Sequence, residues 1–201
     1  MNAISPRTAR LLLVFGAFVA GLALFSAGIF IVTGRAPAPI AMPSAIGGAF
    51  QLVDQNSKPI TDQDLKGQPF LVFFGFTHCP DVCPTTLFEV SEVLRALGTQ
   101  GSKVRALFVT VDPERDTPEK LKDYVASFDP RVIGVTGEPT AIAAMEKAYR
   151  VYAKKVPLDG GNYTMDHTAI VYLMDKTGRF VAPFNLKRRP EEAATDLKRY
   201  L

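Results

Sequence analysis

The apolar positions of the chain fall into two regimes. Residues 11–34 are 24 consecutive positions without a charge, and the first 48 positions hold no Asp or Glu. A helix of that length is about 36 Å long, enough to cross a hydrocarbon core of ~30 Å with some tilt. Beyond residue 48 the runs are shorter and change period. Residues 70–76, Phe-Leu-Val-Phe-Phe-Gly-Phe, read as a strand covered on both faces. After Pro84, Leu87, Val90, Leu94 and Leu97 recur at spacings of three and four, which predicts a helix ended by Gly98 and Gly101. Residues 104–111 form a second buried strand. Thr117, followed by Pro118 and Glu119, opens a helix through Leu121, Tyr124, Val125 and Phe128. A strand over 132–135 and a helix over 139–156 follow, the helix running through Ile142, Met145, Tyr149 and Tyr152 to a basic end at Lys154 and Lys155. A hairpin over 170–184, turning at 175–178, and a last helix from Pro190 complete the pattern, while residues 50–53 pair locally near Ile60.

This pattern predicts an N-terminal membrane anchor over 1–34, a Pro/Ala/Gly linker over 35–48 and one folded domain over 49–201. A cleaved signal peptide competes with the anchor, since Arg7 and Arg10 precede the apolar run and Ala36-Pro37-Ala38 imitates a cleavage site. Signal cores run to about 7–15 residues, however, and Pro39 would sit just past the scissile bond, so the anchor is the better reading. Neither cysteine lies near the amino terminus to be acylated. Positive charge before the span exceeds the single Arg35 after it, which keeps the amino terminus cytoplasmic and turns the domain outward. The net charge of +3 belongs to Arg7, Arg10 and Arg35; residues 49–201 hold 20 charges of each sign. A neutral domain lacks the field that nucleic-acid binding needs, which excludes that class of partner.

Three of the four Cys and His residues sit within residues 78–83. In Cys79-Pro80-Asp81-Val82-Cys83 the thiols are four apart where a strand gives way to a helix. One helical turn would set their Cβ atoms about 5–6 Å apart, wide for a disulfide and comfortable for a shared ion. Free N–H groups at the helix start are expected to lower the thiol pKa. A structural disulfide is the bland alternative, but a ring over three intervening residues removes little chain entropy. Parallel strands that finish in an antiparallel hairpin, with this pair at the end of the first long strand, predict an α/β, thioredoxin-like three-layer fold preceded by a transmembrane helix.

Phe74-Gly-Phe-Thr-His-Cys-Pro-Asp-Val-Cys-Pro84 resembles the signature of the Sco/SenC copper chaperones of cytochrome c oxidase assembly. Val111-Asp-Pro-Glu-Arg-Asp-Thr117, Ala148-Tyr-Arg-Val-Tyr152 and Asp166-His167-Thr168 resemble further family segments, so the likeness covers roughly residues 50–201. The resemblance implies a thioredoxin-like domain tethered to an inner membrane that binds copper, as Cu(I) or Cu(II), through Cys79, Cys83 and His167. It further implies delivery to the dinuclear copper centre of cytochrome c oxidase subunit II, with a copper donor chaperone upstream. Thiolates suit Cu(I) and imidazole accepts both copper valences, and three ligands fit copper better than zinc, which wants a fourth from Asp112 or Asp166.

His78 is set aside as a ligand, because neighbours on an extended segment point to opposite faces. Asp112 ends a strand near the same sheet edge and is a candidate support for the site, although Asp-Pro is also an ordinary turn signal. Asp166 is a weaker candidate for orienting the imidazole. Met145 and Met174 fit core positions, and Met165 is only near the histidine in sequence. A thiol-disulfide reductase acting on the subunit's cysteines through Cys79 and Cys83 is the alternative function, though C-x-x-x-C and a histidine replace the C-x-x-C and facing proline expected of one. A thiol peroxidase is a third reading, without an arginine that the sequence assigns to the thiol. The host membrane is read as a bacterial inner membrane with the domain in the periplasm, the alternative being a mitochondrial inner membrane.

Overall fold

A computed structural model describes residues 6–33 and 46–201, and the chain divides into two units, Met1–Met42 and Pro43–Leu201. The first unit carries α1 (Pro6–Thr33), a helix of 28 residues. Its described side chains, Arg10 and residues 13–28, are exposed. Among the described residues no helix is long and apolar enough to cross a membrane. The side chains at both ends of the predicted 11–34 span, and positions 35–45 of the predicted linker, lie outside the described residues.

In the second unit the strands are β1 (Gln51–Asp54), β2 (Pro59–Thr61), β3 (Phe70–Gly75), β4 (Arg105–Thr110), β5 (Val132–Thr136), β6 (Ala153–Pro157), β7 (Tyr163–His167), β8 (Val171–Met174) and β9 (Phe180–Pro183). The helices are α2 (Val82–Leu97), α3 (Pro118–Val125), α4 (Pro139–Tyr149) and α5 (Pro190–Lys198). Seven strands form one sheet in the order β2-β1-β5-β4-β3-β8-β9, and β6 and β7 form a second sheet of their own. β3, β4 and β5 are parallel, and β8 closes against β3 antiparallel before turning into β9. This is the expected mixed arrangement, with the first long strand in its interior between β4 and β8.

The period of the apolar residues explains the packing. Every residue of β3 is buried, as a strand with covered faces requires. On α2, Leu87, Val90, Leu94 and Leu97 are buried, and Cys83, one turn before Leu87, begins the same stripe. α2 lies against α5, while α3 packs on β5 and α4 on β1. Leu52 pairs with Ile60 in the β1–β2 hairpin, as the front segment predicts. Thr117 caps α3 by accepting the Lys120 N–H at 3.4 Å, with Pro118 in the first turn.

The helix expected over 139–156 is the main correction. α4 stops at Tyr149 because Arg150 takes a left-handed backbone with φ of 58°. Residues 153–157 then turn into β6, and Gly160 and Gly161, both at positive φ, return the chain along β7. His167 therefore ends an inserted hairpin instead of starting the strand that follows it.

Glu146, partly buried on α4, gives this unit a pH-dependent weakness, since burial raises its carboxyl from 4.5 to about 7. The folded state keeps the proton up to that pH, whereas the unfolded chain releases it near 4.5. The stabilising contribution is therefore complete below 4.5 and lost as pH rises through about 7. Glu146→Gln should leave stability near its parent value at pH 4 and raise it at pH 8. After screening of a partly exposed group the gain should be about 1 kcal/mol, or ~2–4 °C in Tm, measured by thermal melts across that range.

Candidate metal centre

The carboxyl end of β3 delivers the two cysteines by different routes. Residues 76–79 form a tight turn in which the Cys79 N–H donates to the Phe76 carbonyl at 3.2 Å. Cys79 thus lies outside the helix, at a partly exposed lip. Cys83 sits in the first turn of α2 with no exposed surface. The expectation that one helical turn holds both is corrected: what couples them is the Cys83 backbone N–H, donated to the Cys79 sulfur at 3.4 Å. Both are free thiols. The expected lowering of thiol pKa by the helix end does not hold at Cys83. Burial pushes this thiol well above its ordinary range, aided by Cys79 and Asp116 and opposed by the Phe76 N–H. Gly75 leaves the space for this sulfur, because a Cβ there would stand 2.8 Å from Cys83 Sγ and 2.6 Å from Phe108 Cε2.

His167 reaches the same place from the end of β7. Its Nε2 is 3.7 Å from Cys83 Sγ, within reach of the thiol proton. On the other side of the ring Nδ1 donates to the Thr168 carbonyl at 3.2 Å, which leaves the Nε2 lone pair facing sulfur. Phe76 and Phe73 hold the ring edge-on, with centroids 5.7 and 6.3 Å away. Burial lowers the imidazole pKa, opposed by the Thr168 carbonyl and Asp166, and so favours the neutral ring. With metal–sulfur and metal–nitrogen distances of ~2.3 and ~2.05 Å, a 3.7 Å separation of the donors subtends about 115° at an ion. Cys83 and His167 therefore suit one ion as they stand. Among the described residues, no group of three or more His, Cys, Asp or Glu side chains is assembled to hold a metal. Two of the three predicted residues, Cys83 and His167, are in contact, and Cys79 joins them by accepting the Cys83 backbone N–H.

The remaining candidates sort by what they touch. His78 is exposed, with Nδ1 3.2 Å from Thr77 Oγ1 and 3.9 Å from Asp116 Oδ1. Asp166 is exposed on the outer side of β7, and a carbonyl orients the imidazole in its place. Met145 and Met174 are buried in the core, and Met165 packs against it. Asp112 touches no predicted ligand; it accepts the Tyr163 hydroxyl at 2.8 Å and pairs with Arg115 Nε. Asp116, fully buried, accepts the Thr77 N–H at 3.0 Å and the hydroxyls of Thr77 and Thr110 at 2.6 and 2.7 Å. Sequence reasoning passed over Asp116, Arg115 and Tyr163. The available signal was the alternation Tyr163-x-Met165-x-His167, which marks a strand with one inward face.

A family model described as SCO1/SenC matches residues 39–201. A SCO2-like protein of Rickettsia felis is 39% identical over 155 residues, covering 76% of each chain. Among solved structures, Bradyrhizobium japonicum ScoI with copper bound superposes with a TM-score of 0.76 at 67% identity, over 78% of this chain and 99% of that one. Yeast Sco1 with copper bound does so with a TM-score of 0.71 at 34% identity, over 79% of this chain and 88% of that one. The fold is accordingly the mixed α/β, thioredoxin-like fold of these proteins, and the chain belongs to the SCO1/SenC family.

Proposed function

We propose that the chain is a membrane-tethered copper chaperone that takes copper from a donor chaperone and delivers it to the dinuclear copper centre of cytochrome c oxidase subunit II during assembly. The observation that carries this reading is the 3.7 Å approach of His167 Nε2 to Cys83 Sγ, with Nδ1 tied to a carbonyl. Cys79 completes the ligand set from the lip. Copper is the cargo: capture displaces the proton that burial holds on Cys83, while His167 binds without losing one. Copper-bound relatives support the choice of metal, and two thiolates with an imidazole suit it. Tethering is supported by α1, whose side chains over 13–28 are uncharged and exposed, with Leu13, Phe15, Phe18 and Leu24 among them. Placed in a bacterial inner membrane through residues 11–34, it would hold the domain in the periplasm.

The second reading, a thiol-disulfide reductase, is favoured by the free thiols joined through the Cys83 N–H. Metal analysis of the anaerobically reduced protein separates the two. Wild type should bind one copper, and His167→Ala should bind it more than about 100-fold more weakly, beyond the loss usual for an outer partner of a ligand. Full occupancy in the variant would rule out the ligand set, and disulfide turnover that survives the substitution would favour the reductase. Gly75→Ala should weaken copper binding by pushing on Cys83 Sγ and should lower stability by about 1–3 kcal/mol in urea unfolding. Unchanged values for both would show that the space beneath the sulfur is not tightly filled.

A further inference from the structure

We propose that Tyr163, Arg115 and Asp112 form a latch that fixes the β6–β7 hairpin to the domain and thereby positions the His167 ring over Cys83. None of the three touches a predicted ligand. The inference rests on the proposed role of His167 in binding copper, and extends it to the residues that bring the ring into place.

The hairpin needs such a device. β6 and β7 pair only with each other, so no ladder bond ties them to the seven-stranded sheet. At the hairpin base, the Thr168 N–H donates to the Tyr152 carbonyl at 2.9 Å and the Tyr152 N–H to Thr168 Oγ1 at 3.0 Å. These bonds join one arm to the other and leave the pair unattached. Two strands alone are marginal in water, and most of β6 is exposed. Side chains must therefore hold the hairpin in place.

Alternation puts Tyr163, Met165 and His167 on one face of β7, and that face meets the domain. Met165 packs against the core, His167 enters between Phe73 and Phe76, and Tyr163 anchors the far end. The Tyr163 hydroxyl donates to Asp112 Oδ1 at 2.8 Å, and its carbonyl accepts from Arg115 Nη1 at 2.9 Å. The guanidinium stands 3.7 Å from the ring centroid, and its Nε pairs with Asp112 Oδ2. Each member thus holds the other two, and the two links to Tyr163 span 48 and 51 residues of chain. Tyr163 and His167 lie four residues apart, ~13 Å along a strand. Freeing that far anchor lets the hairpin swing and carries Nε2 away from the sulfur.

Tyr163→Phe removes the hydroxyl and keeps the ring. Arg115→Gln is a second route to the same release, and Lys154→Ala on the exposed side of β6 is the control. In the metal-free full chain, long-range ¹⁵N–¹H spectra of the His167 ring should show one Nδ1–H tautomer in wild type and the control. Both latch variants should show exchange broadening or mixed tautomers. Loaded with Cu(II), they should lose nitrogen hyperfine structure and bind about 10- to 100-fold more weakly, while keeping the sulfur-to-copper absorption. A merely structural role would lower Tm and leave the ring spectrum alone. Latch variants that fold, keep a wild-type ring spectrum and bind copper within about twofold of wild type would overturn the proposal. Copper that shows no nitrogen ligand in wild type would instead overturn the ligand assignment, while the metal-free spectra would still decide the latch.

Discussion

Two buried carboxylates on one short segment hold the site together. Burying a charge is tolerable only where hydrogen-bond donors meet it. Asp112 and Asp116, four residues apart after β4, draw those donors from opposite directions. Asp116 takes the N–H and hydroxyl of Thr77 and so fixes the turn that carries Cys79. Asp112 takes the Tyr163 hydroxyl and so reaches the strand that ends in His167. The turn of Cys79 and the strand of His167, distant in sequence, are thus set against a common reference.

The electrostatics of the pocket follow from the same dryness. Burial acts on Cys83 and His167 in opposite senses, raising one pKa and lowering the other, and in both cases it favours the uncharged form. An uncharged thiol facing an uncharged imidazole incurs little desolvation cost, and it gives the sulfur a donor's role toward Nε2. Only at the partly exposed Cys79 does the site meet solvent through sulfur.

Much of the sheet was legible because its strands carry unbroken apolar runs: β3, β4 and the β8–β9 hairpin lie where their runs predict. The inserted hairpin was not. Tyr149 and Tyr152 keep a helical spacing, but Arg150 in a left-handed conformation breaks the helix between them, and Asp159-Gly160-Gly161 marks the turn that periodicity overlooked. For the site, the nearness of Cys83 and His167 was anticipated, whereas the burial of Cys83 was missed although it stands one turn before Leu87 on an apolar stripe. The supporting contacts of Arg115 and Tyr163 join segments 48 residues apart, and no local pattern encodes such a pairing.

Cys83 is completely enclosed, and of the two sulfurs Cys79 alone reaches the surface, at a partly exposed lip. An outside sulfur meets Cys79 before it can meet Cys83. Under the proposed function, exchange begins at the outer sulfur and ends at the inner one.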